Sequence, residues 1–210
     1  TIGEQAGYPN KFDPNNIGDK DVIYIGATTS RDVPKIMAIA SQGSSLYIYE
    51  ISPEMIQGKK GTICSGYWEL TPETGLVEGK LPVATSAYFD RMFYYAVGNK
   101  IYRADLTRST PRSYEIYAHP DPSVRITRLK FRSQREDRWD ISGGDEVEAI
   151  PYDFVSYLGG VAEYPDGNCS MLEMKLTAAG EIDKEEGTKD LMVYEFKGFK
   201  NVVDFVYAFK

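Results

Sequence analysis

The sequence has little of what metal, triad or disulfide chemistry needs, with one histidine and two cysteines in 210 residues. Cys64 and Cys169 lie far apart and neither belongs to a CxxC pair, so buried free thiols are expected rather than a zinc site or a disulfide framework. His119 is followed by Pro-Asp-Pro and is expected to be a solvated turn residue. The sequence also lacks Gly-x-Ser-x-Gly, HExxH and glycine-rich phosphate motifs. We therefore predict no catalytic residues, no metal ion and no cofactor.

Positive charge and long hydrophobic runs are scarce as well. The formal net charge is −7, which argues against a nucleic-acid partner because phosphate binding needs a concentrated positive face. The one basic stretch, from Arg125 to Arg138, alternates charged with apolar residues and predicts a strand with a solvated basic face. No segment reaches the roughly 20 apolar residues of a transmembrane helix, and no signal peptide is visible.

What the sequence does have is β-forming residues. Aromatic residues make up 13% of the chain, and 16 of the residues are tyrosines, which favour pleated, half-buried surfaces. Runs with helical spacing are nearly absent. Composition alone therefore favours an all-β protein.

A hairpin unit recurs three times, each copy being an apolar strand, a turn that contains glycine and a second strand. From Leu46 to Ile101 there are 55 residues and from Ile101 to Met171 there are 70. Without the 18 residues Ser133–Ile150, interpreted as an inserted loop, the second interval falls to 52. The hairpins span residues 35–51, 92–106 and 158–176.

Further strands before and after each hairpin bring every unit to four strands, as in the blade of a β-propeller. The alternative is a β-sandwich, which also has short, closely spaced strands. We predict an N-terminal loop segment over 1–21 and a propeller-like domain over 22–210, with blades at 22–70, 81–118 and 124–196 and an extra strand at 199–209.

Three blades and a strand do not close a ring, since propellers typically have four to eight blades. An open blade would expose unpaired strand edges and apolar surface. We therefore expect either further N-terminal blades or a tight homodimer.

One part of the pattern resembles a known family. A Tyr94-Tyr95 strand, a Gly98-Asn-Lys turn, an Ile101-Tyr-Arg-Ala-Asp-Leu strand and a terminal Gly198–Phe209 segment are similar to the C-terminal half of PKD-like family lipoproteins of gut Bacteroidetes. The resemblance extends from Lys35 to the C-terminus. It implies an exported protein of the periplasm or outer-membrane surface, which contacts the membrane only through a lipid anchor upstream and which binds glycan or protein.

The inserted loop, Ser133–Ile150, is the best candidate for a binding site. It combines carboxylates with a tryptophan, and a sugar ring can stack on an indole beside paired acids. The predicted ligand-binding residues are Arg138, Trp139, Asp140, Asp145 and Glu146. The alternative is a solvated acidic surface loop. A second acidic stretch, Asp13–Asp21, misses the EF-hand calcium pattern at Ile17.

The predicted function is a non-catalytic binding or scaffold module of an exported bacterial protein, with a glycan or protein ligand. The first alternative is a carbohydrate-active enzyme, a lyase or hydrolase, that uses carboxylates of the 136–148 loop. The second is a purely structural assembly domain.

Overall fold

A computed structural model describes residues 20–27, 36–56, 59–71, 87–89, 92–108, 110–136, 139–140, 148–149 and 153–207. Over these residues the chain forms strands and contains no helix, so no helix there could cross a membrane. The predicted all-β class is confirmed.

Most strands belong to three four-stranded antiparallel sheets. Sheet A contains β1 (Asp21–Ala27), β2 (Ile36–Gln42), β3 (Ser45–Ile56) and β4 (Lys59–Leu70). Sheet B contains β5 (Ala87–Phe89), β6 (Met92–Val97), β7 (Lys100–Asp105) and β8 (Ser113–Ala118). Sheet C contains β9 (Arg125–Glu136), β12 (Asp153–Glu163), β13 (Asn168–Leu176) and β14 (Val193–Lys200), and β10 (Trp139–Asp140) pairs with β11 (Glu148–Ala149).

Each large sheet is a meander in which every strand pairs with the next one of that sheet. In the two hairpins β2–β3 and β6–β7, a two-residue loop begins with a glycine of positive φ, Gly43 at 61° and Gly98 at 59°. Type II′ turns place glycine at this position because other residues are strained there. The three predicted hairpins and their four-stranded units are therefore present.

Sheet B lies between the other two sheets. One of its faces carries Phe93 and Tyr95, which pack against Ile39 and Ile48 of sheet A. The other face carries Tyr94, Ala96 and Ile101, and these residues share a core with Leu158, Leu172 and Met174 of sheet C. Because side chains alternate along a strand, consecutive residues of β6 enter two different cores.

The insertion between β9 and β12 is shorter than predicted. Residues 133–136, taken as its start, continue β9 and pair with residues 153–156 of β12. Sheet C extends farther because both strands keep the same antiparallel register over this stretch. The small β10–β11 pair lies within the remaining insertion.

The predicted terminal strand at 199–209 is wrong over residues 201–207. Phe199 and Lys200 end β14, and residues 201–207 form no strand. The ladder ends at this point because Asn201 has a φ of 51°. The left-handed region interrupts the extended conformation that a ladder requires.

Residues 202–207, which we call the tail, lie instead on the face of sheet C that points away from sheet B. Lys130 of β9 forms an ion pair with Asp204 at 2.9 Å, and the Arg132 guanidinium lies 4.9 Å from the centre of the Tyr207 ring. At Gly159 of β12 a Cβ atom would collide with Tyr207 and Phe205. The basic face predicted for β9 is thus covered by the tail. Cys169 is a buried free thiol, as expected.

Candidate functional site

The structure describes only two of the five predicted ligand-binding residues. Trp139 and Asp140 form β10 and pair with Ala149 and Glu148 of β11. Arg138, Asp145 and Glu146 lie outside the described residues. Glycan binding by this loop therefore stays a prediction.

A different site, not anticipated from the sequence, lies between sheets B and C. It is a cleft of about 480 Å³, with β7 and β8 on one side and the segment between β13 and β14 on the other. This volume lies within the usual range of ligand sites. We call it the B–C cleft. Its charged lining residues are Arg103, Arg108, Arg112, Lys184, Asp105, Glu115 and Glu181.

A tight turn after β13 builds one wall of the B–C cleft. The Thr177 amide donates to the Glu181 carbonyl at 2.8 Å, and the Gly180 amide donates to the Thr177 carbonyl at 2.9 Å. Gly180 has a φ of 77°, and its carbonyl accepts a hydrogen bond of 2.8 Å from the buried Tyr94 hydroxyl of sheet B. Burial raises the pKa of the Tyr94 phenol, so it stays a neutral donor. The turn is therefore anchored to sheet B.

Arg103 makes the second connection across the B–C cleft. Its side chain is 14% exposed and lies 3.7 Å from the Glu181 carboxylate. One of its guanidinium nitrogens donates to the Ala179 carbonyl, and the group lies 5.9 Å from the centre of the Tyr114 ring. Because the terminal nitrogens of the guanidinium already have these partners and its Nε is buried, Arg103 holds the wall in place rather than being free for a ligand.

The acidic residues of the cleft have partners as well. Asp105 accepts hydrogen bonds from the Thr107 hydroxyl at 2.6 Å and from the Thr107 amide at 2.9 Å. The Thr107 hydroxyl bond is the largest of the effects that lower the pKa of Asp105. Glu115 forms an ion pair with Lys100 at 2.7 Å. Asp105 is therefore ionised at neutral pH, and both carboxylates have oxygen lone pairs that can accept a further hydrogen bond.

Of the four cations in the lining, Arg103 is paired with Glu181, and the charge of Arg108 acts on Asp105, whose pKa it helps to lower. The other two are free to meet a ligand. Arg112 and Lys184 are exposed, and within the described part of the chain no ion pair joins either to a carboxylate. Tyr114, beside them in the lining, is 47% exposed. The B–C cleft therefore presents two cations without a carboxylate partner in the described chain, carboxylates that already have partners, and an accessible aromatic ring.

A polar cluster around His119 lies elsewhere on the boundary between sheets B and C, and it corrects the expectation for this histidine. This residue is buried, not solvated. Its Nδ1 accepts a hydrogen bond of 3.1 Å from the Asp121 amide, and its Nε2 lies 3.7 Å from Glu195 of β14. The Tyr164 hydroxyl donates to the same carboxylate at 2.8 Å. The cluster therefore joins the loop after β8 to sheet C, with the ring closed off from substrate.

One sequence signal could have located His119. It stands two residues after Tyr117, whose side chain packs into the core shared by sheets B and C. Because residues i and i+2 point to one face of an extended chain, His119 continues that inward face just past the end of β8. The two rings meet edge-on, with their centres 6.4 Å apart.

Glu195 should make the stability of the protein depend on pH. Burial opposes its ionisation, but the nearby Ser170 hydroxyl, the hydrogen bond from Tyr164 and the charge of Lys197 together outweigh burial and hold the pKa of Glu195 below its usual value. A lowered folded-state pKa adds stability above the unfolded pKa, near 4.3, and that stability disappears as the pH falls through the folded value.

We expect Glu195→Gln to lower the free energy of unfolding at pH 7 by roughly 1 kcal/mol, less than the usual contribution of a hydrogen bond to a charged group because solvent screens the partly exposed Glu195. Between pH 7 and pH 3, the free energy of unfolding should fall by less in this variant than in the wild type. Urea unfolding at both pH values measures the two effects. Asp190→Asn, which removes a charge from an exposed turn, is the control. An unchanged pH dependence in Glu195→Gln would contradict the prediction.

Comparison of the chain with protein-family models, curated proteins and solved structures found no match. Within the described ranges, no group of three or more His, Cys, Asp or Glu side chains is placed to hold a metal ion. A functional assignment must therefore come from the residues themselves, and the B–C cleft combines free charge with space for a ligand.

Proposed function

We propose that the protein is a non-catalytic binding module on a propeller-type frame and that its ligand occupies the B–C cleft. The observation that carries the proposal is a cleft of about 480 Å³ in which Arg112 and Lys184 have no ion-pair partner among the described residues. Unpaired cations are poor contributors to stability but effective contacts for a charged ligand. Sheet B on one side, and on the other the turn that Tyr94 and Arg103 anchor to it, hold the lining in place before a ligand binds.

The stacking of the sheets favours the propeller-type frame over a β-sandwich. A sandwich has two sheets with one shared core, whereas sheet B here has a core on each face. The first strands also approach one another, since β9 contacts β5 and β6. Tyr24 of β1 lies near Asp204 of the tail, whose charge adds to the effect of burial in raising the pKa of Tyr24.

The two outer sheets have apolar residues on the faces that point away from sheet B. On sheet A these include Val22 and Ile25, and on sheet C they include Tyr194 and Phe196, all of them exposed. Exposed apolar surface at both ends of the stack supports a frame to which a further sheet or a second copy of the chain is added.

The resemblance to PKD-like family lipoproteins supports placing this module in an exported protein at the bacterial cell surface. The alternatives to a binding module are a carbohydrate-active enzyme that acts through the 136–148 loop and a purely structural assembly domain. Of the three, the binding module is the one that gives the B–C cleft a role.

Binding can be tested with a glycan array and the double variant Arg112→Ala/Lys184→Ala. We expect the wild type to retain at least one glycan and the variant to bind it at least tenfold more weakly, because both free cations of the cleft are gone. Lys200→Ala, which removes an exposed positive charge from β14, should bind as the wild type does. If all three proteins bind the glycan equally well, the binding site lies elsewhere. If the wild type binds no glycan on the array, the result favours a purely structural domain.

A further inference from the structure

The B–C cleft has a chemical composition that selects among ligands. Of its cations, Arg103 has partners across the cleft and Arg108 acts on the neighbouring Asp105, whereas Arg112 and Lys184 have no carboxylate partner among the described residues. A ligand that enters must therefore offer negative charge to two cations. A neutral ligand would leave both groups partly desolvated without a partner, which costs free energy.

The carboxylates of the cleft further restrict the chemical class of the ligand. Asp105, Glu115 and Glu181 also line it, and ionised carboxylates accept hydrogen bonds but donate none. A polyanionic peptide brings donors only from its backbone, and its ionised side chains would be repelled by these carboxylates. A saccharide brings many hydroxyl donors, so its hydroxyls can meet these acceptors while an acidic substituent meets the cations.

Tyr114 supplies the third component. It is 47% exposed, and its hydroxyl-bearing ring offers an apolar face together with a polar edge. The carbon-bound hydrogens on one face of a pyranose ring make a flat apolar surface of matching size. The Ile116 and Leu191 side chains in the same lining add apolar contact.

From these three features we infer that the ligand of the B–C cleft is an acidic glycan, a saccharide whose anionic substituent contacts Arg112 and Lys184 while its ring lies against Tyr114. The inference rests on the proposed binding function and goes beyond it by naming the ligand class. The anionic group can be a uronic acid carboxylate or a sulfate ester. Both are recognised by the same charge-assisted hydrogen bonds.

The test uses an oligogalacturonide and its fully methyl-esterified form, two probes with the same sugar that differ in charge. Isothermal titration with the whole chain should show binding of the acid form, at least tenfold weaker binding of the ester, and weakening in high salt. A sulfated oligosaccharide without carboxylates distinguishes the two anionic sources. Tighter binding of either anionic probe than of the ester supports the inference.

Three variants locate the contacts. Arg112→Ala and Lys184→Ala should each weaken binding of the preferred acidic probe about five- to tenfold, and Tyr114→Ala should weaken it about tenfold by removing the ring surface. Lys200→Ala is the matched charge control. The altered side chains are exposed, and a thermal unfolding scan shows that each variant stays folded.

The failures are distinguishable. Equal binding of the acid and ester forms, with loss in the cleft variants, would overturn the inference and leave the binding module standing. Poly-glutamate that binds as tightly as the acidic saccharides would show that the cleft reads charge alone and would also overturn the inference. If neither these saccharides nor any glycan on the array binds, both the inference and the proposed function fail.

Discussion

Leu158→Ala is expected to lower the free energy of unfolding by about 3 kcal/mol, within the range for Leu to Ala changes in cores. Leu158 is fully buried and belongs to the core in which Tyr94 and Ile101 of sheet B meet Met174 of sheet C. Truncation removes apolar contacts and leaves a cavity in a closely packed region. Urea unfolding monitored by tryptophan fluorescence measures the change.

The control is a large apolar residue of the same sheet that is not in this core. Phe196 of β14 is 55% exposed, and its partner in the ladder is Met171, on the face away from sheet B. Phe196→Ala should therefore cost roughly 1 kcal/mol or less, since little apolar area is lost. If Leu158→Ala cost no more than Phe196→Ala, sheets B and C would not share a core.

Gly180→Ala is expected to cost about 3 kcal/mol as well, for two separate reasons. The φ of 77° at this position strains any residue with a Cβ by about 1 kcal/mol or more. A Cβ atom would also collide with the Met92 sulfur and the Tyr94 hydroxyl, and overpacking costs a further 1–3 kcal/mol. The turn would have to leave sheet B, and the hydrogen bond from Tyr94 would be broken.

Gly187 separates the two causes. It has the same φ of 77°, but a Cβ atom there would meet nothing within 4 Å. Gly187→Ala should therefore cost about 1 kcal/mol, the backbone strain alone. Chemical unfolding of both variants compares them directly, and equal losses would mean that the docking of the 177–182 turn on sheet B contributes nothing.

The hairpins were predictable because their signals are local. Met92–Val97 and Lys100–Asp105 were predicted within one residue of their observed bounds, since Gly98 identifies the turn and apolar residues fill both strands. The terminal strand failed for the opposite reason. Val202–Phe209 has a strand-like pattern, but the left-handed conformation of Asn201 ends β14 and directs the tail across the face of sheet C.

The B–C cleft could not be predicted at the same level. Arg103 and Glu181 are 78 residues apart in sequence and meet only because sheets B and C pack together. No local pattern records that Gly180 fits under Tyr94, or that His119 lies beside Glu195 rather than in solvent. Such contacts depend on the relative position of whole sheets, and single-chain spacing carries no information about that position.

The sequence by itself determined that this protein is all-β, with a threefold recurring hairpin and four strands in each unit. These features follow from side-chain alternation and from glycine in tight turns, which act over a few residues. Only the tertiary structure decided that sheet B is covered on both faces, that the tail lies on the basic face of β9, and that two free cations share a cleft with Tyr114. These depend on packing between sheets, where hydrophobic burial is non-directional and steric fit selects the arrangement.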